Sequence, residues 1–480
     1  MIKKEVRTRF APSPSGQIHL GNLRSAVFSY IFAKKFNGKF ILRIEDTDAA
    51  RTMESEIYRI SEMLELFGMN IDEGPTVGGP FGPYQQSQRT DLYIEILQLL
   101  AQEGKIYKCF CTKEELEAVR AEQIKKNIPP RYSKKCLGLS SDKIVQKTEF
   151  GTPFVWRFRL NERQVIKFND LCKGEMSFSM SNFSDFSLTR SDGSFTFIFV
   201  NFVDDWKMEI SHVIRGDDHL SNTPLQIALY HSVMANPPTF GHLPMILNSD
   251  GEKLSKRNKH SSLESLISDG FVPPAICDYL VRFGNWSDKK PRSLKQIIDE
   301  FEPAELKSSA NTRYDESQLK WLNEHCIVEL SGKELLVMAE KIFPDLIGQL
   351  KANSNLEFLF DQIKAEVKNL LDLILISKNI LDHSVSNQTI DELKALAPEK
   401  VQDLNRLFAF LKEELQGSDL GLNALLGDAS KKLEIQPKLV FQSIRLICTG
   451  KAHGISIDRL SSVIPRETLV AKIEDALSKL

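Results

Sequence analysis

The chain has 480 residues, more than one hydrophobic core accommodates, since single cores stop growing at about 250 to 300 residues, so at least two domains are expected. Its 62 Lys plus Arg stand against 64 Asp plus Glu, a formal charge of -2, which excludes a global basic field as the means of holding nucleic acid and leaves only local surfaces for that purpose. The longest apolar runs, Phe195 to Val203 and Leu370 to Ile376, are far shorter than the roughly 18 to 20 residues that cross a bilayer, which excludes a spanning helix and predicts a soluble protein without membrane contact.

From Val6 to Ala11 the residues alternate as in a strand, with Val6, Thr8 and Phe10 on one face and Arg9 facing away from that apolar layer. A Pro-Ser-Pro-Ser-Gly turn follows, then a helix over 21 to 36 with Leu23, Val27, Tyr30 and Ile31 at helical spacing, ending at Asn37-Gly38. A second strand, Phe40 to Ile44, completes a βαβ unit, which implies a parallel sheet binding ligands at the carboxyl ends of its strands. Residues 91–195 interrupt the pattern with a charged helical stretch, a cysteine group and β-rich segments such as Phe154 to Leu160, and read as an inserted α+β domain. The sheet is expected to resume with Phe195 to Val203 as a strand, then His212 to Arg215, a helix from Asn222 to about Met234 and a loop at Asn248 to Lys259. The fold predicted is α/β: a split Rossmann-type domain from 1–90 and 196–250, then 251–325, then an all-α domain over 326–480 in which amphipathic helices follow one another.

Two segments carry the chemistry. In PSPSGQIHLGN, His19 and Gly21 sit where a helix begins, and free backbone N–H groups there favour phosphate. Gly21 would let a nucleotide approach closely, and the His19 imidazole can donate to a phosphate that gains charge. The plainer reading is a Pro-rich turn with a helix-cap histidine. In SDGEKLSKRNK, Lys253, Lys256 and Arg257 flank Ser255 in a Gly-containing loop that can close over a triphosphate, although a single Lys-rich loop is more often a solvated turn. The pairing changes the balance: one element follows the first strand and the other follows the last, as a split nucleotide fold needs to hold ATP from both ends. Cys109, Cys111 and Cys136 form C-x-C, 24 residues, then C. The total of seven cysteines is odd and lacks framework spacing, which suits a reducing compartment, and the start MIKKEVRTRF lacks the apolar region of a signal peptide, so a cytoplasmic location is expected.

RFAPSPSGQIHLGN, LRIEDTDAAR, IDEGPTVGGPFGPYQQSQR, VDDW, HVIRGDDHLSNTP and DGEKLSKR, in this order, resemble the bacterial glutamyl-tRNA synthetases, which are class I aminoacyl-tRNA synthetases. The likeness covers roughly the first 325 residues strongly and resumes with QSIRLICTGKAHGISIDRL. It implies ATP-dependent ligation of glutamate to the 3' end of tRNA through a glutamyl-adenylate, with Mg2+ on the phosphates and a monomeric enzyme. It implies that His19, Gly21, Lys253, Ser255, Lys256 and Arg257 serve ATP, Lys256 foremost. Arg9, Ala11, Ser13, Glu45, Phe197, Asn201 and Arg215 are implied to bind the amino acid. Arg215 and Arg9 would grip the side-chain carboxylate, Glu45 the ammonium, and Asn201 would assist; the alternative for Glu45 is a structural ion pair with Arg43 or Arg51. The inserted domain would meet the tRNA acceptor end, 251–325 the stem, and the helical part the anticodon.

The family often carries zinc at the cysteine group. The usual fourth ligand position is Gly138 here, and Tyr132, four residues before Cys136, can substitute; three reduced cysteines without metal are the alternative. Phe197 stands where the family has a tyrosine, and Asn22 where it has a glycine. The basic residues Lys125, Lys126, Arg131, Lys134 and Lys135 are offset by Glu114, Glu115, Glu117 and Glu122, so only the resemblance turns them toward tRNA. Three alternatives to tRNA-Glu charging stand beside it: glutamylation of tRNA-Gln, a glutamyl-queuosine tRNA modifier, which would lack the helical C-terminal domain, and a catalytically weak tRNA-binding paralogue.

Overall fold

In the computed structural model, the described residues are 5–14, 18–47, 54–248, 250–252, 254, 262–283, 286, 289–308, 312–350, 355–398, 400–417 and 420–480. Their contacts divide the chain into two units: residues 1–263, 280–288 and 292–314 in the first, and 264–279, 289–291 and 315–480 in the second. Residues 251–325 are thus shared between the units.

The first unit is organised by the βαβ start. Strand β1 (Arg7–Phe10) pairs in parallel with β2 (Lys39–Leu42), Arg9 opposite Ile41. Between them α1 (Leu20–Lys35) is buried on nearly every side, from Leu20 through Ala33, because it lies between the sheet and Phe301, whose ring meets Phe28 and Phe32. Asn37 takes φ 52 at its stop, as the Asn-Gly pair predicts. Both faces of β1 are covered, so the side of Arg9 that points away from the apolar layer is interior too, and Arg9 is 4% exposed.

After α2 (Glu54–Leu66), the stretch expected to form the insertion builds α3 (Thr90–Gln102), β3 (Ile106–Cys109), α4 (Lys113–Lys125), α5 (Ser141–Glu149), β4 (Val155–Phe158), β5 (Val165–Asp170), β6 (Gly174–Ser179) and β7 (Phe186–Ser187). β3, β4 and β7 form one antiparallel sheet and β5–β6 a separate hairpin. The expected strand over Phe195 to Val203 is a helix instead: α6 runs from Phe197 to Lys207. A continuous apolar run carries no period of its own, and here every residue from Phe199 to Asp205 is buried. Then come β8 (His212–Gly216), α7 (Thr223–Ser232) and β9 (Thr239–Leu243). β8 and β9 pair in parallel, and Ser211 N donates to Arg7 O at 2.9 Å, which sets this pair beside β1 and β2.

In the second unit the elements from Glu316–Glu329 to Arg466–Lys479 are helical. The helix Val401–Gly417 shows why: Leu404, Leu407, Phe408, Leu411 and Leu415 fall on one buried stripe. Ser331 and Glu334 close a capping box at the start of another. Among the described residues, no helix is long and apolar enough to cross a membrane.

Candidate active site

At the carboxyl ends of β1, β2 and β8 lies a cavity of ≈ 180 Å³, where a parallel sheet is expected to receive ligands. Arg9, Ala11, His19, Gly21, Asn22, Glu45, Phe197, Asn201 and Arg215 all line it. Ser13 does not; it is exposed on the turn. Lys253, Ser255, Lys256 and Arg257 lie outside the described residues, as does Arg51, but Leu254 lines the cavity.

At one end, His19 is the N-cap of α1, and its Nδ1 accepts from Gly21 N at 3.1 Å and Asn22 N at 3.3 Å. The expected free N–H groups at this helix start are therefore taken by the motif's own histidine, so the cap reading and the lining position hold together. A neutral ring that accepts at Nδ1 carries its proton on Nε2, the form that can donate to an anion. Gly21 has a local reason to be glycine: a Cβ there would stand 3.0 Å from the His19 ring. The sequence reading missed Arg24, one turn on. It is 1% exposed, donates to Pro244 O at 3.0 Å, and has Nε and Nη2 without partners among the described residues; burial pushes it down to about 10.

The other end is held by α6. Asn201, Asp204 and Asp205 occupy one face, and they form the anionic floor of the site. Asp205 Oδ1 accepts from Arg43 Nη1 at 2.6 Å and from Arg9 Nε at 3.1 Å. Burial alone would raise the Asp205 pKa, yet Arg43 and Arg9 hold it below the usual carboxylate range. Asp204 accepts from Arg89, Gln86 and Tyr93 at 2.7 to 2.9 Å, tying the segment before α3 to the same floor. Arg43, fully buried, also donates to Asn201 Oδ1 at 2.9 Å and lies 3.6 Å from Glu45. Glu45 thus has the structural ion pair with Arg43 and also faces the cavity. Burial raises its pKa, with Arg43 and Arg9 opposing, and its backbone is fixed by Glu45 N donating to Pro12 O.

Arg215, at the end of β8, donates from Nη2 to Thr223 Oγ1 and Gln226 Oε1, each at 2.8 Å. Its Nη1 is buried without a partner meeting hydrogen-bond geometry among the described residues, whereas the Asn201 amide lies close enough to the Glu45 carboxylate to favour its ionised form. Burial, with repulsion from Arg9, pushes Arg215 down to about 9, still cationic at neutral pH. A buried donor left open in a cavity costs free energy until an acceptor arrives, so this end offers a cationic donor to an acceptor in the cavity. The Phe197 ring stacks on His219 at 5.1 Å, and burial lowers His219 to about 4, which keeps it neutral.

In the insertion, the sulfurs of Cys109, Cys111 and Cys136 lie within 4.8 Å of one another, and the Tyr132 hydroxyl is 3.2 Å from Cys109 Sγ and 3.8 Å from Cys111 Sγ. All four expected ligands therefore meet. The basic residues nearby are mostly neutralised locally: Lys126 pairs with Glu122, Lys135 with Glu115 at 2.7 Å, and Lys134 with Glu162 at 2.8 Å.

The family model for tRNA synthetases class I (E and Q), catalytic domain, matches residues 5–321, and the model for an anticodon binding domain matches 334–477. The chain is 36% identical over 480 residues to glutamate–tRNA ligase 2 of Caldicellulosiruptor saccharolyticus, covering 99% of both. It is 36% identical to the glutamate–tRNA ligase of Aquifex aeolicus, again over 99% of each. The solved structure of a glutamate tRNA ligase from Elizabethkingia meningosepticum in complex with its amino acid superposes with a TM-score of 0.79 at 27% identity, covering 99% of this chain and 100% of that one. With the cavity described above and matches spanning both units, the chain belongs to the glutamate–tRNA ligases among the class I tRNA synthetases, enzymes that use ATP to join glutamate to tRNA.

Proposed function

We propose that this cavity forms glutamyl-adenylate and passes the glutamyl group to tRNA-Glu. The observation that carries this reading is the open Arg215 Nη1, buried in a cavity that Arg9 and Asn201 also line. A side-chain carboxylate on Arg215 and Arg9 would satisfy that donor, while Glu45 would receive the ammonium. Glutamine would leave a buried cation unpaired, a loss of about 3 to 5 kcal/mol.

The glutamate α-carboxylate then attacks the α-phosphorus of ATP, the bond to pyrophosphate breaks, and glutamyl-adenylate remains. A terminal ribose hydroxyl of tRNA attacks the acyl carbon, its proton leaves, and AMP departs. No side chain needs to act as a nucleophile; positioning and charge stabilisation do the work. His19, with its proton on Nε2, would donate to the phosphates, and Lys253, Ser255, Lys256 and Arg257 would close over them, a role supported by their sequence and by Leu254 lining the cavity. Mg2+ bound with ATP would supply positive charge to the phosphates.

The insertion (91–195) would bind the acceptor end, 251–325 the stem and 326–480 the anticodon. Cys109, Cys111, Cys136 and the Tyr132 oxygen would hold a structural Zn2+. Tetrahedral Zn–S bonds of about 2.3 Å set sulfurs about 3.8 Å apart, close to the 3.5 Å between Cys111 and Cys136. Such an ion would staple the loop after β3 to the segment around Cys136. All seven cysteines are free thiols, which supports a cytoplasmic enzyme, and the enzyme would act as a monomer.

The test is to incubate the protein with ATP, labelled glutamate and either purified tRNA-Glu or tRNA-Gln, and measure acid-precipitable label. Charging of tRNA-Glu is expected. Charging of tRNA-Gln alone would replace this reading with the tRNA-Gln-specific one, and no charging of either would overturn both.

A further inference from the structure

Next to Arg215, and outside the residues that line the cavity, lies a buried chain of polar groups. Asp170, the last residue of β5 in the insertion, and His242, on β9, are both 0% exposed. Asp170 Oδ1 accepts from the backbone N–H groups of Cys172, Lys173 and His242 at 2.9 to 3.1 Å. Its Oδ2 lies 2.5 Å from His242 Nδ1. On the far edge of the ring, Nε2 is 2.9 Å from Thr223 Oγ1 and 3.3 Å from Arg215 Nε.

The order of these contacts settles the proton. An ionised carboxylate can only accept, so Nδ1 carries the hydrogen and a neutral ring presents a lone pair at Nε2. That lone pair can accept from the Arg215 Nε–H, which a second N–H could not do. Burial lowers the His242 pKa and keeps the ring neutral, with Asp170 opposing and Arg215 reinforcing. Thr223 and Gln226 hold Nη2 of the same guanidinium, so Nε and Nη2 are both engaged and Nη1 is the nitrogen left for the cavity.

We propose that Asp170 and His242 are positioning residues for glutamate recognition: Asp170 fixes the imidazole with its proton on Nδ1, and Nε2 then holds Arg215 with Nη1 toward the substrate. The proposal rests on the reading that Arg215 grips the side-chain carboxylate. It also makes the end of β5 part of the amino-acid site, because Asp170 supplies the anion that sets the tautomer.

The experiment is steady-state aminoacylation with the full-length enzyme, reading KM for glutamate, KM for ATP and kcat for His242→Asn, His242→Gln, Asp170→Asn and Arg215→Ala. Asparagine can replace the Nδ1 edge but has no acceptor that reaches Arg215; the longer glutamine places a carbonyl near the Nε2 position. His242→Asn is expected to raise KM for glutamate about tenfold or more, with KM for ATP and kcat nearly unchanged, and His242→Gln to recover most of that loss. Asp170→Asn, which can donate to Nδ1 and turn the tautomer over, should behave like His242→Asn and carries the test if that variant does not fold. The reverse ranking, with glutamine worse than asparagine, would mean that the ring serves only Asp170 and packing, and would overturn the proposal. So would wild-type KM values in both histidine variants while Arg215→Ala is impaired. An unchanged KM for glutamate in Arg215→Ala would instead remove the reading of Arg215 itself, and this proposal with it.

Discussion

Replacing Asp205 by alanine should damage the catalytic unit more than any other single change at the floor of the site. One oxygen of this buried carboxylate accepts from both Arg43 and Arg9. Its loss leaves Arg43 with the neutral Asn201 Oδ1 at 2.9 Å and, among carboxylates, only Glu45 at 3.6 Å and Asp204 at 3.8 Å. Removing one member of a buried ion pair costs about 3 to 5 kcal/mol, and for a unit of this size each kcal/mol lowers the Tm by about 2 to 4 °C, so a fall of about 6 to 20 °C is expected. Asp205→Asn keeps an acceptor oxygen and should lose less, about 1.5 to 3 kcal/mol, as for a hydrogen bond to a charged group. The pH dependence has a defined sign. The folded-state pKa of Asp205 is depressed, so its contribution is fully present above the ordinary aspartate value of about 3.9 and is lost as pH falls through the lower, folded value. Thermal melts of wild type and both variants at pH 7, repeated toward pH 3, measure all of this. A drop below about 1 kcal/mol for Asp205→Ala, the size of an ordinary substitution, would refute the reasoning.

Lys256→Ala is expected to slow adenylate formation by about 10²-fold or more, read by pyrophosphate release under single-turnover conditions; an unchanged rate removes Lys256 from the mechanism. Phe197→Tyr restores a phenol at the cavity wall and should lower KM for glutamate by up to about tenfold, the worth of one neutral hydrogen bond; an unchanged KM means that the ring edge does not reach the substrate. Cys136→Ser should abolish stoichiometric zinc in metal analysis of the purified protein, and a wild type without zinc would leave three reduced thiols as the correct description.

The βαβ start was legible because its two periods are local: alternation through Val6 to Ala11 and the spacing of Leu23, Val27, Tyr30 and Ile31. The helix α6 was misread because Phe195 to Val203 is apolar throughout, and burial on every side erases amphipathic pattern. A signal was nonetheless present. Asn201, Asp204 and Asp205 follow i, i+3, i+4 spacing, which shares one face of a helix, whereas in a strand the two aspartates would point to opposite sides. The ligands facing the cavity could be recognised by resemblance, since they cluster in short segments. Their supports could not: Arg43 meets Asp205 across 162 residues and Asp170 meets His242 across 72, and no local period encodes such pairings. The capping of α1 by His19 lay between the two readings of its motif, and the structure joins them.

On the proposed reading, two buried arginines, Arg9 and Arg215, select glutamate. This selection is tested most directly by comparing kcat/KM for glutamate and glutamine on purified tRNA-Glu, in wild type and in Arg215→Ala. The wild type is predicted to favour glutamate by about 10²- to 10⁴-fold, the equivalent of about 3 to 5 kcal/mol, and Arg215→Ala to lose most of that preference through its rate with glutamate. A wild type that charges glutamine comparably, or an Arg215→Ala enzyme that discriminates as well as its parent, would rule out selection by these arginines.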